Sequence, residues 1–118
     1  MPKPISKTTK RAPGKSRAAA SLPYEDWLIA QLKIPAEAAA YLEAVIEDGN
    51  QAAILLALRQ VAQAQGGVAG VARKAKLTRE ATYKMLSKSG NPELRSLSAI
   101  LKATGLRLSV KPIEKQAA

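Results

Sequence analysis

The side chains in this sequence most able to do chemistry are cations gathered in one run. Residues 67–88 read GVAGVARKAKLTREATYKMLSK, and Thr78 stands where it would cap a helix carrying Arg79, Glu80, Tyr83 and Lys84 on its first turns. The N-terminal residues of such a helix face base edges when the helix lies in a DNA major groove. Arg79 could then pair with guanine in bidentate fashion and Glu80 could accept from cytosine. Thr78, Tyr83 and Lys84 could reach either a base or a phosphate. Arg73, Lys74, Lys76 and Lys88 flank this surface as phosphate contacts, with Gly90 and Asn91 of the following turn. An ordinary helical bundle with a solvated polar face would carry the same residues.

Other chemistries are thinly provided for. The chain has no histidine and no cysteine. The usual general base, the histidine-containing triads, thiolate metal sites and disulfides are all therefore missing. No catalytic residue or metal ligand is assigned, and an enzyme is not expected. The longest apolar run, Ala52 to Leu58, falls far short of the roughly 20 residues that cross a bilayer. The basic N-terminus has no following hydrophobic stretch with a cleavage site, so it does not read as a secretion signal. A cytoplasmic location is expected.

Positioning the cations requires a helical scaffold. A composition of 118 residues rich in alanine and leucine, with four aromatics and no phenylalanine, favours short, closely packed helices over a sheet. Pro23 can begin a helix with Tyr24, Trp27, Leu28 and Leu32 along one stripe, which should stop before Pro35. Pro35 opens another, whose Ala38, Tyr41, Leu42, Val45 and Ile46 follow the helical period, and Gly49 closes it. Asn50 can cap a third bearing Ile54, Leu55, Leu58, Val61 and Ala62, ended by Gly66 and Gly67. Val68 to Ala75 is then a helix of barely two turns, leading by a three-residue turn into the Thr78-capped helix.

This is the layout of a helix-turn-helix. Ala72 supplies the small residue where two helices cross, Leu77 buries the turn, and Met85 and Leu86 return the second helix to the core. Two positions fit poorly. Lys76 stands where glycine is usual, at roughly 1 kcal/mol for a side chain in the left-handed region, and Thr82 stands where an apolar side chain usually packs. Asn91 and Pro92 can cap and begin a further helix with a buried stripe of Leu94, Leu97, Ile100 and Leu101, which Gly105 ends. Leu106, Leu108 and Val110 then alternate with polar residues, a strand pattern. A lone strand in a helical chain would pair with its copy in a two-fold dimer, suited to a palindromic operator, or lie as a tail along its own domain.

Charge divides the chain. Residues 1–20 carry +6, residues 21–50 carry −5 and residues 51–118 carry +9. A basic body attracts polyanions by counterion release while an acidic segment repels them, so the two regions should meet different partners. Residues 1–20 hold three prolines and little to bury, and are expected to form a disordered basic arm, serving phosphate contact or solubility. The expected organisation is this arm at 1–20, an acidic helical segment at 21–49, a helix-turn-helix domain with its C-terminal strand at 50–112, and a tail at 113–118.

The segments AAAYLEAVIEDGN, ILLALRQVAQAQGG, VARKAKLTREATYKMLSKSGNPEL and LKATGLRLSV together resemble the HigA-type probable addiction module antidotes, which are helix-turn-helix antitoxins. The resemblance runs from about Tyr24 to Pro112. It implies an all-α fold of five to six helices similar to phage repressors, with a short C-terminal strand. It also implies a homodimer that binds its own promoter, neutralises a RelE/ParE-like toxin and needs no cofactor. The chain departs from the family at Lys76, at Thr82 and in its long basic arm. Toxins of that class are typically basic, so Glu43, Glu47 and Asp48 are candidate toxin-binding residues, or else a solvated helix face. Two other readings are a prophage-type regulator without a toxin partner and a protein-interaction module that has lost DNA binding.

Overall fold

Local signals set most helix ends in the computed structural model, which describes residues 23–114. The expected arm lies outside the described residues, as does most of the expected tail. Six helices follow in order: α1 (residues 23–31), α2 (Pro35–Asp48), α3 (Gln51–Ala64), α4 (Val68–Ala75), α5 (Arg79–Met85) and α6 (Leu94–Ala103). Pro35 sits in the first turn of α2, where its missing N–H costs no hydrogen bond. Gly49 ends that helix at φ 84°, in the left-handed region that glycine enters freely. The Asn50 side chain then accepts from the Ala53 N–H at 3.0 Å and starts α3.

Helix α4 packs on α3, α5 and α6, and α3 packs on α2 as well. Leu32, Leu55, Val61, Val71, Leu86 and Ile100 are buried almost completely in one apolar cluster. Each such side chain contributes roughly 1.5–3 kcal/mol over leaving it in water. Leu28 and Leu42 join the same cluster, so the acidic segment and the basic body share a core.

Three expectations are corrected. Residues 106–114 form no strand among the described residues. A ladder needs a second strand, and none of the described residues supplies one. Instead the Leu106 N–H donates to the Leu101 carbonyl at 2.8 Å, closing the end of α6, and its side chain is half-buried against the core. Beyond it Leu108 is exposed, Val110 is 95% exposed, and Lys111 pairs with Glu43 of α2 at 3.4 Å, both partners well solvated. Asn91 does not cap α6. That helix begins at Leu94 after an extended Glu93 with no side-chain cap, and so Leu94, in the first turn, is 72% exposed instead of buried. The four stripe residues of α1 do line one groove, but they differ in burial. Leu28 and Leu32 are buried, but Tyr24 and Trp27 are more than half exposed.

Candidate nucleic-acid interface

Helices α4 and α5 are joined by Lys76, Leu77 and Thr78. Lys76 adopts φ 62° and ψ 39°. It is the residue other than glycine with positive φ among the described residues, and its amide and that of Leu77 donate to the Arg73 and Ala72 carbonyls at 3.1 and 2.9 Å. Those bonds satisfy the last carbonyls of α4 and reverse the chain. Ala72 is buried, Leu77 packs on the core, and the Thr78 hydroxyl oxygen accepts from the Ala81 N–H at 3.1 Å. The reversal, the small crossing residue and the capped second helix are thus all present.

Helix α5 is anchored by its inner face. Thr82 is fully buried, and its hydroxyl donates to the Thr78 carbonyl at 2.8 Å, which removes the cost of an unpaired polar group in the core. Leu86 follows it into the core and Met85 packs partly against it. Two side chains of α3 secure the far end: the Arg59 guanidinium donates to the Leu86 carbonyl, and the Gln51 amide donates to the Gly90 carbonyl at 3.0 Å. A cation beside the carbonyl end of a helix is also favoured by the helix dipole. Sequence reading missed both. Their partners lie 27 and 39 residues away, and the available signal was only that Arg59 interrupts the apolar pattern of α3.

The outer face carries the residues expected to meet DNA. Thr78, Arg79, Glu80, Tyr83 and Lys84 are all exposed on α5 and its cap, and Arg73, Lys74, Lys76, Lys88 and Asn91 are exposed around it. Among the described residues none of the six cations in this set pairs with a carboxylate. The surface therefore keeps its full charge toward solvent. Gly90 differs from the rest. It is buried, and its N–H donates to the Ser87 carbonyl at 2.9 Å. A Cβ there would collide with the Met85 carbonyl and lie 2.8 Å from that of Lys84, so the close approach of the backbone explains the glycine.

The acidic residues lie elsewhere. Glu43, Glu47 and Asp48 are exposed on α2, with Glu43 engaged by Lys111. A polar chain links α1, α2 and α3: the Tyr41 hydroxyl donates to Gln60 Oε1 at 2.6 Å, and Gln60 Nε2 donates to Glu25 Oε2 at 3.2 Å. Burial, with Tyr24 and Glu25 nearby, raises the Tyr41 phenol above its usual range. Among the described residues no group of three or more metal-ligating side chains converges, and no helix is long and apolar enough to cross a membrane.

Comparison with known proteins bears on what this arrangement is for. No solved structure matches the chain. An uncharacterized protein of Haemophilus influenzae is 35% identical over 71 residues, a stretch that covers 60% of this chain and 72% of that protein. The family model described as "Probable addiction module antidote protein" matches residues 27–112, which takes in the second half of α1 and every later helix. The chain belongs to the probable addiction module antidote family.

Proposed function

We propose that this protein is the antitoxin of a type II toxin–antitoxin module, of the HigA type, which binds operator DNA as a dimer and neutralises a RelE/ParE-like toxin by direct contact. The observation that carries the DNA half is the exposed, unpaired cationic face of α4 and α5, built on a capped helix whose inner side is fixed by Thr82, Arg59 and Gln51. On this reading the N-terminal residues of α5 read bases. Arg79 is the main reader and Glu80, Tyr83 and Lys84 assist, while Arg73, Lys74, Lys76 and Lys88 hold phosphates. Family membership supports the antitoxin half, since an addiction module antidote answers to a toxin.

The dimer is supported by residues 106–114. Their backbone lacks a ladder partner within the described residues, and Val110 and Ile113 are almost wholly exposed. Pairing of Leu108 and Val110, beyond the Leu106 N–H that closes α6, with the same segment of a second copy would cover this edge and set two α5 helices on successive major grooves. Footprinting on the promoter of its own gene tests the reading. Two protected half-sites about one helical turn apart, roughly 34–36 Å, are expected; a single uninterrupted or position-independent protection would contradict it.

A further inference from the structure

The cationic face has a counterpart of opposite charge. Residues 21–50 carry −5, with Lys33 the one cation among them, and helices α1 and α2 in this stretch bound a groove of about 340 Å³. Tyr24 and Trp27 form one wall, their ring centroids 5.8 Å apart and their planes tilted by 32°. Tyr41 and Glu37 form the other, and Leu28 and Leu32 the floor. Tyr24 is 59% exposed and Trp27 55% exposed. Large aromatic surfaces left in water beside one another are uncommon on a monomer and are the side chains on which binding energy concentrates.

The groove is also stiff. Glu25 of α1 and Tyr41 of α2 are both tied to the buried Gln60 of α3, which fixes the spacing of the two walls. Glu37 is exposed on the α2 side of the groove, across from the aromatic pair. An aromatic face next to a carboxylate suits a guanidinium above other groups, because the same flat cation can stack on a ring and fork to an oxygen pair. A nucleic acid is repelled by this face.

We propose that the α1–α2 groove is the docking surface for the protein partner, and that it takes an arginine-bearing basic segment of that partner between Tyr24, Trp27 and Glu37. The proposal rests on the antitoxin reading in supposing a protein partner. It places the contact on the groove and not on the ridge of Glu43, Glu47 and Asp48.

Trp27 is the one tryptophan of the chain, so its emission reports on the groove directly. The test titrates the full-length protein with an arginine-bearing helical peptide, its lysine analogue and its glutamate analogue, following Trp27 emission and, in parallel, heat by calorimetry. Saturable binding of the arginine peptide is expected, about five-fold tighter than the lysine analogue, with no response to the glutamate analogue. Tyr24→Ala and Glu37→Gln should each weaken it about five-fold or more, while a Glu43→Gln/Glu47→Gln double variant leaves it unchanged. Absence of saturable binding in both readouts, or equal weakening by the double variant, overturns the proposal. A shift in the emission of the free protein on Lys7→Gln, Lys10→Gln and Arg11→Gln would make the chain's own basic segment the occupant and overturn it too. Dissociation of a dimer by Trp27→Ala would do the same in favour of a second copy. Promoter binding by the unsubstituted protein is measured alongside: its presence without saturable peptide binding faults the groove alone, and its absence faults the antitoxin reading.

Discussion

The hydroxyl of Thr82 donates to the carbonyl of Thr78 at 2.8 Å, one turn back along α5. The backbone N–H of Thr82 reaches the same oxygen at 3.0 Å. A residue that looks misplaced in an apolar position is therefore satisfied within its own helix, and its methyl group still packs in the core. Because the carbonyl keeps its backbone donor when the hydroxyl is removed, Thr82→Val should be neutral or stabilising by up to about 1 kcal/mol. Thr82→Ala also removes the buried methyl group and should cost about 1 kcal/mol. Urea unfolding of both variants checks the ordering.

Lys76 holds a left-handed conformation that a side chain resists. Lys76→Gly should raise stability by about 0.5–1 kcal/mol in urea unfolding. If Lys76 also touches a phosphate, the same variant should bind DNA less tightly and with a shallower salt dependence. Opposite signs in the two measurements are the expected signature.

Gly90 and Gly70 should respond oppositely to alanine. At Gly90 a Cβ meets the carbonyls of Met85 and Lys84, so Gly90→Ala should destabilise by about 2–3 kcal/mol and loosen the end of α5. At Gly70, inside α4, a Cβ meets nothing within 4 Å, so Gly70→Ala should stabilise by about 0.5–1 kcal/mol. Thermal melts of the pair separate the close approach from the general cost of glycine.

Tyr41 supplies a pH dependence. Its phenol is raised in the folded protein by burial and by Tyr24 and Glu25, so folding favours the neutral form. The sign follows from linkage: stability is at its full value below the unfolded pKa of about 10 and falls as pH rises through the higher folded value. Tyr41→Phe should flatten this decline while lowering stability at neutral pH, where the bond to Gln60 is lost. Denaturant midpoints across the alkaline range test both effects.

Features that depend on a few neighbouring residues were legible in the sequence. The caps at Asn50 and Thr78, the start at Pro35, the end at Gly49, the limits of α4 and the left-handed Lys76 all follow from local backbone chemistry. So did the grouping of Arg79, Glu80, Tyr83 and Lys84 on the outer side of α5, because helical spacing decides it once Thr82 and Leu86 face inward. Features that depend on distant partners were not legible. Leu94 and Leu97 are alike in pattern, but only the latter has a helix opposite it. The alternation at Leu106, Leu108 and Val110 suits a strand, yet a strand is a property of two chains of hydrogen bonds and one segment cannot make it. Arg59, Gln51 and Gln60 act through contacts spanning 19 to 39 residues, which no local pattern contains.

Whether α5 reads sequence is decided by binding to the gene's own promoter against scrambled DNA, each over a range of salt. A preference for the promoter that persists as salt rises and is lost on Arg79→Ala is expected, since a bidentate base contact discriminates by about 1–3 kcal/mol while phosphate contacts do not discriminate. Equal, steeply salt-sensitive binding to both DNAs, unaltered in specificity by Arg79→Ala, would contradict it and leave the cationic face as an electrostatic footprint.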